Sequence, residues 1–81
     1  MQLVLTIVSP EETLFDGTVN SVQVPGALGR FEILENHAPI ISSLTSGVIV
    51  YKTESESFSL AIKSGFVEVE KNKVMICVEL K

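Results

Sequence analysis

The feature that most constrains the fold is a two-residue alternation of apolar and polar side chains, broken at short intervals by turn signals. Phe58, Leu60 and Ile62 alternate with Ser59, Ala61 and Lys63. Val67 and Val69 alternate with Phe66, Glu68 and Glu70. Val74, Ile76, Val78 and Leu80 alternate with Met75, Cys77 and Glu79. Successive side chains of a strand point to opposite faces, so these runs read as half-buried strands, and their β-branched residues suit a pleated surface. Leu3–Val8 and Val48–Thr53 are apolar in both phases, which places them in the middle of packed sheets. Ser9-Pro10, Asp16-Gly17, Pro25-Gly26, Ser46-Gly47, Glu54–Ser57, Ser64-Gly65 and Lys71–Lys73 read as turns. Asn72 suits a left-handed position in a tight hairpin between Val69 and Val74. Pro25-Gly26 reads as a type II turn with Gly26 at positive φ, after which Gly29 lets the chain re-enter the sheet. No window has a 3.6-residue period; the best helical candidate is a single turn around Pro10–Thr13. The expected architecture is all-β, a roughly ten-stranded β-sandwich or flattened barrel, forming one domain over residues 1–81.

A chain of 81 residues buries only roughly 60–65% of its unfolded surface, and such a domain gains from a partner. Hydrophobic residues make up 46% and mean hydropathy is +0.40, a high share for a small domain, and this points to a protein interface. Net charge is −4, and Arg30, Lys52, Lys63, Lys71, Lys73 and Lys81 are dispersed. Nucleic acid needs a basic face that this chain lacks. Cys77 stands alone, so no internal disulfide forms. The longest apolar runs fall far short of the roughly 20 residues of a membrane helix, and Leu3–Val8 reads as a strand without the features of a signal peptide. A soluble, cytoplasmic chain without direct membrane insertion is expected.

Candidate reactive groups are few. His37 lies two residues from Glu35, but no Ser or Cys sits in a recognisable elbow, so a turn or interface role outweighs catalysis. Cys77 lies among apolar neighbours and reads as a small hydrophobe. One His, one Cys and scattered carboxylates offer no metal-ligand spacing, and no cofactor is expected. Gly26-Ala27-Leu28-Gly29 lacks the third glycine and the following helix of a dinucleotide cradle. The acidic pairs Glu11-Glu12, Glu54/Glu56 and Glu68/Glu70 read as solvated. What is left is a non-enzymatic β module that presents loops, with Val22–Pro39 as its best contact surface and Arg30 as a cation at its tip. A free-standing module binding a small anionic ligand at Gly26–Gly29 is the alternative.

That segment, V-P-G-A-L-G-R-F-E-I-L-E-N-H-A-P followed by Leu44 and Gly47, resembles the epsilon subunit family of rotary F-type ATP synthases. Ile7-Val8-Ser9-Pro10-Glu11 with Phe15-Asp16-Gly17 is similar as well, as is Ser64-Gly65-Phe66-x-Glu68-Val69 with Asn72 and Val74. The resemblance covers essentially the whole chain. It implies a ten-stranded β-sandwich in the central stalk, peripheral to the cytoplasmic face of a bacterial inner membrane. Its implied partners are the gamma subunit and the polar loops of the c-ring, and its implied role is coupling of proton flow to ATP synthesis. By the same resemblance Ser9, Gly26, Ala27, Leu28, Gly29 and Arg30 face the c-ring. His37, Ala38, Pro39, Ile40, Ile41 and Ser42 face gamma. The chain departs from the family in having Ser64 where a glycine is frequent. It also ends at Lys81, before the two-helix hairpin with which most bacterial members restrain ATP hydrolysis, so loss of that restraint is a further expectation.

Overall fold

The computed structural model describes residues 2–81. Eight strands follow in order: β1 Leu3–Val8, β2 Thr13–Val19, β3 Ser21–Gly26, β4 Gly29–Ile33, β5 Ile40–Leu44, β6 Gly47–Lys52, β7 Ser57–Glu70 and β8 Lys73–Leu80. The hydrogen-bonded path runs β2-β1-β8-β7-β5-β3-β4, and β6 joins β3 to β7. The β1–β8 pair is parallel; the others are antiparallel.

The all-β class matches the sequence pattern, with eight strands in place of roughly ten. Two expected turns lie inside strands. Asp16-Gly17 continues β2 in register with Thr6 and Leu5, and Ser64-Gly65 continues β7. Around Pro10–Thr13 there is no helical turn: the Ser9 N–H donates to the Glu12 carbonyl at 2.9 Å and Thr13 already begins β2. Leu3–Val8 (β1) and most of Val48–Thr53 (β6, ending at Lys52) do form strands with a neighbour on either side, β1 between β2 and β8 and β6 between β3 and β7, but each buries one face only; Val4 and Val48 are exposed.

β7 shapes the molecule. Its residues 57–62 pair with β6, while residues 65–69 pair with β5 and residues 62–70 with β8. Ile62 pairs with Leu80 and Ser64 with Glu79, so two steps on β7 match one on β8. Lys63 is the extra residue of a β-bulge, which bends a strand and strengthens its twist. Ile62 and Val67 are both fully buried although five residues apart, an odd spacing that only such a bulge permits. One strand thereby serves two layers: β2-β1-β8 with the second half of β7 and β5, and β4-β3-β6 with its first half. The Gly26–Leu44 pair closes the other side.

Leu3, Leu5, Ile7, Ile33, Ile49, Ile62, Val67 and Ile76 fill one core between the layers, all fully buried. Each such side chain contributes about 1.5–3 kcal/mol. At one margin Tyr51 packs between Phe15, 4.7 Å away by ring centroid, and Phe58, 5.3 Å away. Burial pushes the Tyr51 phenol above its ordinary 10.0 by desolvation.

At the opposite end of β5 from Leu44, two loops are tied together. Asn36 (φ 65°) and Asn72 (φ 63°) both adopt the left-handed conformation that asparagine tolerates. The Asn36 N–H donates to Asn72 Oδ1 at 2.6 Å, and Asn72 Nδ2 donates to Asn36 Oδ1 at 3.3 Å. The Asn72 carbonyl accepts from the Val4 N–H at 2.9 Å. The left-handed hairpin position expected for Asn72 is therefore occupied, and its side chain also latches the β4–β5 loop.

Three outcomes follow from this packing. A Cβ at Gly65 would lie 2.3 Å from the Cys77 carbonyl oxygen, so Gly65→Ala lowers stability by about 3 kcal/mol, or roughly 12–24 °C in Tm by calorimetry. Asn72→Ala loses the latch and strains the turn, at about 2 kcal/mol in urea denaturation. Asn72→Gly keeps the turn and loses about 1 kcal/mol, so the difference isolates the strain. For Tyr51 the folded state holds the proton more tightly than the unfolded chain. Its contribution is complete below pH 10.0 and is lost as pH rises beyond it. Tyr51→Phe therefore flattens the alkaline fall in Tm relative to the parent chain.

Candidate docking surface

β3 and β4 pair from Val22–Ile33 down to Gly26–Gly29, leaving Ala27 and Leu28 as a two-residue turn. The expected Pro-Gly turn is thus displaced. Pro25 and Gly26 are the last residues of β3, and the positive φ, +136°, belongs to Gly29. Gly26 is needed for space: a Cβ there would sit 2.6 Å from the Gly29 carbonyl oxygen and 2.8 Å from the Phe31 ring. The Ala27 N–H donates to the Ser43 carbonyl and the Thr45 N–H to the Pro25 carbonyl, both at 2.9 Å. These bonds fasten the turn to β5. They also occupy the Ala27 N–H that an anion at Gly26–Gly29 would use.

The side chain at the tip is Leu28, fully exposed. Arg30 lies below the tip, in register with Pro25, and its guanidinium Nη1 donates to the Val48 carbonyl at 2.7 Å. The expectation of a projecting cation is corrected accordingly: the cation is drawn back across the sheet, and an apolar side chain stands forward. Ser9 follows Val8, which aligns through Cys77 and Phe66 with Ser43. Ser9 and the Ala27–Leu28 turn therefore share one end of the molecule. The Ser9 hydroxyl donates to the Glu12 carbonyl at 3.3 Å.

The second expected set sits toward the other end of β5, roughly 14 Å away at about 3.4 Å per residue. The His37 N–H donates to the Leu34 carbonyl at 3.1 Å. Its Nδ1 lies 2.7 Å from the Ala38 carbonyl oxygen, and its ring centroid 6.4 Å from that of Phe31. The strand alternation divides the set. Ala38, Pro39 and Ile41 are exposed, Ile41 at 74%, while Ile40 packs against the core and Ser42 is half-buried.

Ile41 opens a surface that the alternation reading missed. It is in register with Glu68, which faces Met75, which faces Thr6. The next row is Ser43, Phe66, Cys77 and Val8; the row on the other side holds Glu70, Lys73 and Val4. Phe66, Val4 and Met75 are 47%, 43% and 41% exposed. An open groove of about 420 Å³ lies beside them, lined by Pro39, Ile40, Ile41, Glu68, Val69 and Glu70. The signal was present in the sequence: the outward phase of β1, β7 and β8 carries Val4, Val8, Phe66, Met75 and Cys77 where a solvated face carries charge. Among the described residues no three His, Cys, Asp or Glu side chains converge on a metal position, and no helix is long and apolar enough to cross a membrane.

Comparison with known proteins gives this geometry a family. The family described as ATP synthase, Delta/Epsilon chain, beta-sandwich domain matches residues 2–80. The ATP synthase epsilon chain of Leptospira borgpetersenii is 37% identical over 78 residues, covering 96% of this chain and 61% of the relative. That of Magnetococcus marinus is 40% identical over 75 residues, covering 93% and 55%. The chain thus spans less than two thirds of the length of these relatives. Among solved structures, a chain of the Euglena gracilis mitochondrial ATP synthase, OSCP/F1/c-ring, superposes with TM-score 0.90 at 21% identity, covering 95% of this chain and 50% of that one. A chain of the Tetrahymena thermophila mitochondrial ATP synthase central stalk and c-ring superposes with TM-score 0.81 at 17% identity, covering 98% and 64%. At these identities the superpositions establish a shared fold. With the family match over nearly every residue and epsilon-chain relatives at 37–40% identity, the chain belongs to the ATP synthase delta/epsilon β-sandwich family.

Proposed function

We propose that the chain is a non-catalytic rotor subunit of the ATP synthase central stalk. It joins the gamma subunit to the polar loops of the c-ring, turns with them, and helps couple ion flow to ATP synthesis. It works peripherally, on the cytoplasmic face of a bacterial inner membrane. The observation that carries this reading is the pairing of two separate contact regions on one sandwich. One is the apolar outer face around Ile41, Phe66, Met75 and Val4, continued by Ala38 and Pro39. The other is the end that holds Ser9 and the fastened Ala27–Leu28 turn.

The two regions suit different partners. Covering the apolar face removes hydrophobic surface from water at about 25 cal/mol per Å², which suits a lasting subunit interface with gamma. The opposite region is built from turns and presents one leucine, with Arg30 drawn back below it, to a polar surface such as the ring loops. Its energy lies in position and specificity more than in area.

Melting of the chain with and without purified gamma tests the reading. A partner that binds only the folded form adds about 2.7 kcal/mol at 100 times its Kd. The expected result is a clear rise in Tm that Ile41→Ser removes. Arg30→Glu keeps that rise yet weakens attachment of the catalytic sector to the ring in reconstituted membranes. An unchanged Tm in the presence of gamma counts against the stalk assignment, and normal coupling by Arg30→Glu counts against the ring-facing one.

A further inference from the structure

We infer that Glu68 dictates the chemistry of the partner on the apolar face: its carboxylate is met by a basic side chain, arginine or lysine, of the gamma subunit. The inference rests on the gamma reading above and adds the residue type that gamma must present.

Glu68 stands inside the exposed apolar face. Ile41 is in register with it on β5 and Met75 on β8, and Phe66 precedes it by two residues on the same face of β7. Glu70, two residues further on, lies opposite Lys73 in the strand register, although the two form no ion pair. Lys73 is only a diagonal neighbour of Glu68. Among the described residues Glu68 has no ion pair and no side-chain hydrogen bond; Lys63 and Glu79 form an ion pair, at 3.7 Å, on another part of the surface.

The consequence is geometric. A partner surface that covers both Ile41 and Met75 necessarily covers the carboxylate between them and strips its water. A desolvated carboxylate with nothing opposite it opposes binding strongly, whereas a positioned cation restores the lost interactions. A guanidinium can do so with two parallel hydrogen bonds, which also fixes the orientation of the partner. The apolar neighbours supply contact area, and Glu68 decides which surfaces are admitted.

Calorimetric titration of the chain into gamma at low and moderate salt tests the inference, with melting of each free chain as the control. Glu68→Gln is expected to weaken binding about tenfold or more and to reduce its salt sensitivity. Glu68→Lys weakens it about a hundredfold or more. Both free variants melt within a few degrees of the parent, because the carboxylate is exposed and unpaired in the free chain. Undiminished affinity of Glu68→Gln, or tighter binding by Glu68→Met, overturns the inference. Ile41→Ser separates the two levels. If it weakens binding while Glu68→Gln does not, the cation is wrong and the gamma face stands. If neither matters, the face itself is wrong and the inference falls with it.

Discussion

The fold depends on one strand being allowed to belong to both layers. β7 is 14 residues long and its bulge at Lys63 reverses the phase of its side chains. Before the bulge Phe58, Leu60 and Ile62 point inward against β6; after it Val67 and Val69 do so against β5 and β8. Without the extra residue the second half would turn Phe66, Glu68 and Glu70 into the core. Gly65 makes the bend sterically possible, because the Cys77 carbonyl occupies the space of a side chain. An 81-residue chain is small for a closed core, and this folding-over is what gives it one.

The same bend fixes the contact regions. With β7 carrying β5 on one edge and β8 on the other, Ile41, Glu68 and Met75 fall into one outward row. β5 then serves as a ruler. Its Leu44 end holds the Gly26 pair and the bonds that fasten the Ala27–Leu28 turn; its Ile40 end lies beside the loop latched by Asn36 and Asn72. Neither loop depends on its own sequence alone for its shape.

Much of the fold was legible because alternation is a local property. The strands around Phe58–Ile62 and Val74–Leu80, and the left-handed Asn72, could be read one residue at a time. Asp16-Gly17 and Ser64-Gly65 misled because glycine serves two purposes. In a turn it supplies backbone freedom; at Gly65 it supplies room for a neighbouring strand that no local pattern reveals. Gly26 shows the same ambiguity: it was read for positive φ and is used for clearance. The apolar outer face was harder still. Val4, Phe66, Met75 and Ile41 come from four strands, and only the register brings them together. Arg30 stands next to the turn in sequence, but its bond to the Val48 carbonyl depends on β6.

In the proposed role the subunit must pass force between two partners, and a sheet suits that task differently from a loop. Each end of β5 is joined to its neighbours by backbone hydrogen bonds, so displacing the Ala27–Leu28 turn means shearing a ladder against β7. A load applied at the turn is thus shared across β5, β7 and β8, the strands that also carry the apolar face. The element that contacts one partner and the surface offered to the other are parts of one hydrogen-bonded body. A flexible tether between the same two regions would bind both partners yet transmit little torque; a bent, continuous sheet can do both.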